Sequence, residues 1–198
     1  MTSALLKITT LCIASFLIIS CNNTEKSDKK TDQTKDSVQT DSVQNDTVVT
    51  DKDYLALGFE LMENESFGDL KIGLKAIEVI KLFGKPDKKT EPEQWAADGD
   101  YHQVWTYTKE GFDLDIIGEK EADLEIYCIT IYKPCKLKTK KQIGVGSRLE
   151  ELKAAYKESI DTNIAGGDII IAGSLYGGMT FTLENDKVVN IFIGAGAE

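Results

Sequence analysis

Few side chains in this sequence are suited to acid, base or nucleophilic chemistry, and they are not spaced to act together. The chain has a single histidine, His102. A Ser-His-Asp site would have to use that one imidazole, and no two histidines exist to share a metal ion. Asp98, Asp100 and His102 occupy alternate positions in "DGDYH", a spacing that can hold a divalent cation weakly. The remaining ligands of a calcium loop are lacking, so a polar turn before a strand is the plainer expectation and no metal is expected. A second stretch, "AGSLYGGMTFT" at 172–182, gathers Gly173, Gly177 and Gly178 around Ser174 and Tyr176. A phosphate loop would need a helix next, with its amides facing the anion, and a nucleophile elbow would need G-x-S-x-G followed by a helix. Met179, Phe181 and Leu183 alternate like a strand instead, so the glycines are expected to supply the positive φ of a tight reversal. No nucleophile, base and orienting group assemble, which points away from an enzyme and implies no cofactor. Tyr176, the bulky residue of that reversal, becomes a candidate partner contact.

The elements that must position these residues begin after a leader and a linker. Lys7 precedes "ITTLCIASFLIIS", an apolar run of about a dozen residues that fits a secretory signal and falls short of the roughly 20 a spanning helix needs. The run ends in Ile18-Ile19-Ser20-Cys21, which resembles the bacterial lipobox. That resemblance implies removal of residues 1–20 and acylation of Cys21, with palmitate among the chains. Two or more acyl chains anchor a protein stably to a bilayer. Asn22 in place of the aspartate that retains such proteins in an inner membrane implies the outer membrane, with the domain facing the periplasm or the cell surface. Residues 21–51 are then a lipidated cysteine and a polar tether in which "DSVQ" occurs twice. Such a composition buries too little apolar surface to fold, and about 30 residues of it reach roughly 30 Å.

Residues 52–198 suffice for one domain with a real core. This part carries 18 Lys or Arg against 26 Asp or Glu, a net charge of −8, and its one arginine is Arg148. A nucleic-acid partner is therefore not expected, because phosphate neutralisation needs a basic field. The basic cluster Lys133, Lys136, Lys138, Lys140 and Lys141 reads as a solvated edge or connector.

Within this domain "IGLKAIEVIKLFG", 72–84, lies over "VGSRLEELKAAYK", 145–157, with an offset of 73 and no gap. In the first copy Ala76, Val79, Ile80 and Phe83 have helical spacing, and Gly84 and Pro86 stop the helix. "HQVWTYT", "FDLDII" and "LEIYCITIY" follow as three strands. In the second copy Leu149, Leu152, Ala155 and Tyr156 make the helix stripe, followed by "DIIIAG", "GMTFTLE" and "KVVNIFIG". The expected fold is α+β: two tandem helix-plus-antiparallel-meander repeats, about 68–135 and 136–198, with the helices packed on one face of the sheet.

The sequence "EVIKLFGKP", with "IG" before it and a meander after it, resembles the repeat of β-lactamase-inhibitor-type proteins and of the small lipoprotein of the outer-membrane assembly machinery. The resemblance covers most of 68–198. It implies a non-enzymatic module that binds another envelope protein through a sheet face and loops. Inhibitor members of that group carry disulfides within repeats, which draws attention to Cys128 and Cys135. A straight strand would hold these two over 20 Å apart, so they meet only if the chain folds back at Lys133-Pro134.

Alternation predicts the binding face. Phe112, Leu114 and Ile116 point one way, while Asp113 and Asp115 face water. In the third strands Leu124, Ile126 and Cys128 suit the core, leaving Tyr127, Ile129 and Ile131 opposite. Likewise Val189, Ile191 and Ile193 suit the core, leaving Val188, Asn190 and Phe192 opposite. The strip Tyr127, Ile129 and Phe192, with Tyr176 at its rim, is the expected docking surface. The alternative is that 54–62 or the loop 87–101 covers it.

Overall fold

The structure, a computed structural model, describes residues 51–160 and 167–196. The signal segment, Cys21 and the polar tether lie outside the described residues. Among the described residues three helices, α1 (Asp51–Asn64), α2 (Ala76–Phe83) and α3 (Leu149–Ala155), accompany eight strands. The strands are β1 (Lys88–Lys89), β2 (Glu93–Gln94), β3 (Tyr101–Tyr107), β4 (Phe112–Ile117), β5 (Glu125–Tyr132), β6 (Ile169–Ser174), β7 (Gly177–Glu184) and β8 (Lys187–Gly194). They form one open antiparallel sheet in the order β1-β3-β4-β5-β8-β7-β6, with β2 also pairing β3. The meanders β3-β4-β5 and β6-β7-β8 therefore meet at their last strands, where Ile129 pairs Ile193, Thr130 pairs Phe192 and Ile131 pairs Ile191.

The core follows from the pleat. Trp105, Tyr107, Phe112, Leu114, Ile116, Phe181 and Ile191 are buried in one cluster with Leu61 of α1, Val79 of α2 and Leu152 of α3. The segments that lead into α2 and α3 are laced to the sheet in the same manner. Gly73 N–H donates to the Ile126 carbonyl and Ile126 N–H to that of Leu74, at 2.8 and 3.0 Å. Gly146 N–H donates to the Val188 carbonyl and Val188 N–H to that of Ser147, at 2.7 and 2.9 Å.

Two bulges correct the expected faces of the third strands. Asp115 pairs Cys128 but the next residue, Ile116, pairs Ile126, so Tyr127 is an extra residue in β5. Because side chains alternate with period two, one inserted residue exchanges the faces of everything on one side of it. Ile129 and Ile131 are thereby buried in the core, and Cys128 leaves it for the opposite face. In β8, Thr182 pairs Asn190 while Leu183 pairs Val188, so Val189 is the extra residue. Val188 is accordingly a core residue, 1% exposed, and not part of an outer strip.

α1 is a helix that the local alternation does not predict, and it packs on the core side and not over the outer strip. Leu55, Leu57, Phe59 and Leu61 alternate as in a strand, yet the buried positions are Tyr54, Gly58 and Leu61, one helical face. That face rests on the β6–β7 hairpin, where a Cβ on Gly58 would fall 1.8 Å from the Gly177 carbonyl oxygen and one on Gly173 would fall 2.4 Å from the Gly58 Cα. The glycines thus serve close approach as much as reversal. Leu175 and Tyr176 form the turn between Ser174 and Gly177, while the positive φ values sit at Gly173 and Gly178, which pair across the strands.

The chain does fold back at Lys133-Pro134, through a cis peptide bond, but no disulfide joins the two cysteines. Cys135 belongs to the core cluster and Cys128 to the opposite face, packed against Gly194. The lysine-rich segment after Cys135 is the connector to α3, with Lys136, Lys140 and Lys141 exposed.

Candidate functional site

The face of the sheet turned away from the core holds a cavity of about 420 Å³. Its position follows from alternation on β3 and β4: with Trp105, Leu114 and Ile116 inward, His102, Val104, Asp113 and Asp115 project outward. Tyr127, Cys128 and Thr130 of β5 and Phe192 of β8 complete the floor, and Ala195 and Gly196 border it. Trp95, the residue after β2, supplies a wall. The loop carrying Trp95 is closed on itself, since Trp95 N–H donates to the Asp100 carbonyl at 2.9 Å, Gly99 N–H to the Trp95 carbonyl at 2.9 Å, and the Gln94 side chain to the Gly99 carbonyl at 2.8 Å. Gly99, at φ 81°, permits that reversal.

A buried imidazole ties these elements together. His102 is 3% exposed and lies flat under Trp95, ring centroids 3.8 Å apart and planes 5° from parallel. Tyr127 meets it edge-on at 5.1 Å. Nδ1 is 3.1 Å from both carboxylate oxygens of Asp115, and Nε2 is 3.0 Å from Oδ2 of Asp98. Burial opposes charging the ring, but hydrogen bonds and attraction from the two carboxylates prevail and hold its pKa above the ordinary 6.5. The group is therefore read as an imidazolium donating from both nitrogens. Asp98 is held below the ordinary carboxylate value, first by the backbone N–H of Asp100 donating to its Oδ1 at 3.0 Å and then by His102. Tyr132 donates its hydroxyl to Asp113 Oδ1 at 3.1 Å, and burial, reinforced by that carboxylate, pushes its pKa up to about 12.

Of the residues singled out from the sequence, Tyr127 and Phe192 line the cavity. Ile129 is a core residue beneath it, 1% exposed. Tyr176 is exposed at the β6–β7 turn and does not line the cavity. Asp98 and His102 are brought together, but Asp100 contributes its backbone N–H and leaves its side chain in solvent. Both ring nitrogens of His102 face carboxylates, and among the described residues no group of three such side chains could hold a metal ion. Asp113 and Asp115 were legible as outward residues from alternation, although nothing local marked them as one wall of a cavity. Trp95 carried no periodic signal, since its place depends on β2 pairing back onto β3.

Comparison with known proteins returns no match: no family model, no curated protein and no solved structure corresponds to this chain. Among the described residues no helix is long and apolar enough to cross a membrane. The arrangement can offer a partner an aromatic and apolar recess with two oriented carboxylates at its floor.

Proposed function

We propose that the protein is a non-enzymatic protein-binding module, held at the bacterial envelope by lipid on Cys21 and docking a partner on the outer face of its sheet. The observation that carries this reading is the concave recess formed by Trp95, Val104, Tyr127 and Phe192 on the face opposite the core. Aromatic side chains set in a concave site are what docking surfaces use as anchors. The enclosure of His102 supports a binding role over catalysis: both of its nitrogens are engaged by carboxylates, so it offers a substrate neither a base nor an acid.

The architecture is read as two tandem helix-plus-meander repeats, of the style seen in β-lactamase-inhibitor-type proteins and the small outer-membrane assembly lipoprotein, with the helices on the core face. The matched lacing of Gly73 and Ile126 and of Gly146 and Val188 supports it. So does the placement of one extra residue, Tyr127 or Val189, in each third strand. An envelope-assembly accessory or an inhibitor-like binder both fit this arrangement.

The test is a photo-crosslinking amino acid at Val104 in the full chain, expressed in its own cells. A discrete adduct is expected that vanishes when Phe192→Glu is added, while the same probe at Glu150 on α3 gives none. An adduct pattern indifferent to both changes would refute the docking face. Loss of palmitate labelling in Cys21→Ala tests the anchor separately.

A further inference from the structure

The chemistry of the recess is more specific than a general docking surface. The residues lining it include two carboxylates, Asp113 and Asp115, and no lysine or arginine. With Asp98 they outnumber the imidazolium of His102, which pairs with two of the three, so this cluster remains negative. Both carboxylates are oriented in advance, Asp113 by the Tyr132 hydroxyl and Asp115 by His102. Tyr132 occupies one of the roughly four acceptor positions of the Asp113 carboxylate. Around them stand the rings of Trp95, Tyr127 and Phe192. Aromatic faces beside carboxylates attract a positively charged, partly apolar group, because the ring quadrupole and the carboxylate act with the same sign. An acidic insert would oppose these carboxylates, and an apolar one would take Asp113 further from water without a matching charge.

We infer that the recess takes an arginine or lysine side chain of the partner protein, its cationic head on Asp113 and Asp115 and its stem between Trp95, Tyr127 and Phe192. This rests on the protein-binding reading of the same face. The volume of about 420 Å³ lies within the roughly 300–1,000 Å³ usual for ligand clefts and leaves room for the insert together with flanking chain. A guanidinium, planar and able to engage a carboxylate through two hydrogen bonds, fits better than an ammonium.

The full chain in detergent is titrated with capped pentapeptides carrying Arg, Lys, Leu or Glu between glycines. Trp95 emission is the reporter, since the other tryptophan, Trp105, is 1% exposed. A saturable change is expected with Arg, a weaker one with Lys, and none with Leu or Glu. Asp113→Asn is expected to weaken Arg binding about tenfold, as fits loss of one charge-assisted hydrogen bond. Glu150→Gln, on the exposed face of α3, leaves it unchanged. Phe192→Ala, checked by circular dichroism, gives a second variant of the recess should Asp113→Asn misfold. Equal response to the Leu peptide, or Arg binding insensitive to both recess variants, overturns the inference. So does self-association that closes the recess to every peptide, which would make a second copy the occupant. A Val104 crosslink to a partner together with silent peptides overturns this inference alone. Arg binding without any crosslinked protein overturns the protein-binding reading alone.

Discussion

His102 on β3 and Asp115 on β4 are joined by an ion pair, Nδ1 lying 3.1 Å from each carboxylate oxygen, on a face of the sheet that alternation leaves outside the core. Because the folded protein holds His102 above its ordinary pKa of 6.5, the imidazolium contributes stability that is fully present below that value. It is lost as pH rises through the higher folded value. Asp98 acts in the opposite sense: its folded pKa lies below 3.8, so its contribution is present above 3.8 and is lost as pH falls through the folded value. Urea unfolding across pH is therefore expected to show a plateau from about pH 4 to 6.5 and a decline on either side. His102 being the one histidine, its ring signals in an NMR titration are expected to move at a midpoint above 6.5, and a midpoint below it would contradict the pairing.

Replacing the imidazole separates stacking from charge. His102→Phe keeps a ring beneath Trp95 but removes both donors, leaving Asp98 and Asp115 to repel each other. A loss of about 2 kcal/mol in unfolding free energy is expected, in line with hydrogen bonds to charged groups. His102→Ala should lose more, because the Trp95 stack goes too.

The contact between α1 and the β6–β7 hairpin predicts a sharp contrast among glycines. Gly58→Ala would place a methyl 1.8 Å from the Gly177 carbonyl oxygen, backbone that cannot yield without shifting the helix. A loss of about 1–3 kcal/mol is expected from such overpacking. Gly73→Ala meets nothing within 4 Å and carries only the strain of φ 77°, about 1 kcal/mol. Urea midpoints of the two variants should differ in that order.

The bulge in β5 makes a deletion testable. Removing Tyr127 restores unbroken alternation, with Ile126, Ile129 and Ile131 still inward, so the fold should survive with a modest loss of stability. Removing Thr130 forces one side of β5 onto the wrong face and should leave the domain open to limited proteolysis. Equal tolerance of the two deletions would argue against the bulge.

Much of this organisation was legible in the sequence. The helical stripes of α2 and α3, the six long strands and the outward placement of Asp113, Asp115 and Phe192 all follow from short-range periodicity, because a side chain's direction along a regular element depends on the backbone geometry nearest to it. The acidic balance is likewise a property of composition.

Only the tertiary structure decided the rest. Which residue of β5 or β8 is extra depends on the strand it pairs with, so Tyr127 and Val189 look like any other strand residues until β4 and β7 are in place. That is why Ile129 and Val188, outward by simple alternation, are core, and why Cys128 faces the recess while Cys135 does not. Helix α1 has a strand-like alternation that the glycine-lined hairpin overrides, since a helix with Gly58 at its contact can approach the β6–β7 backbone closely. The recess itself has no local signature. Trp95 follows β2, and Asp113, Tyr127 and Phe192 come from β4, β5 and β8, so only the pairing order of the sheet brings an aromatic wall and two carboxylates to one place.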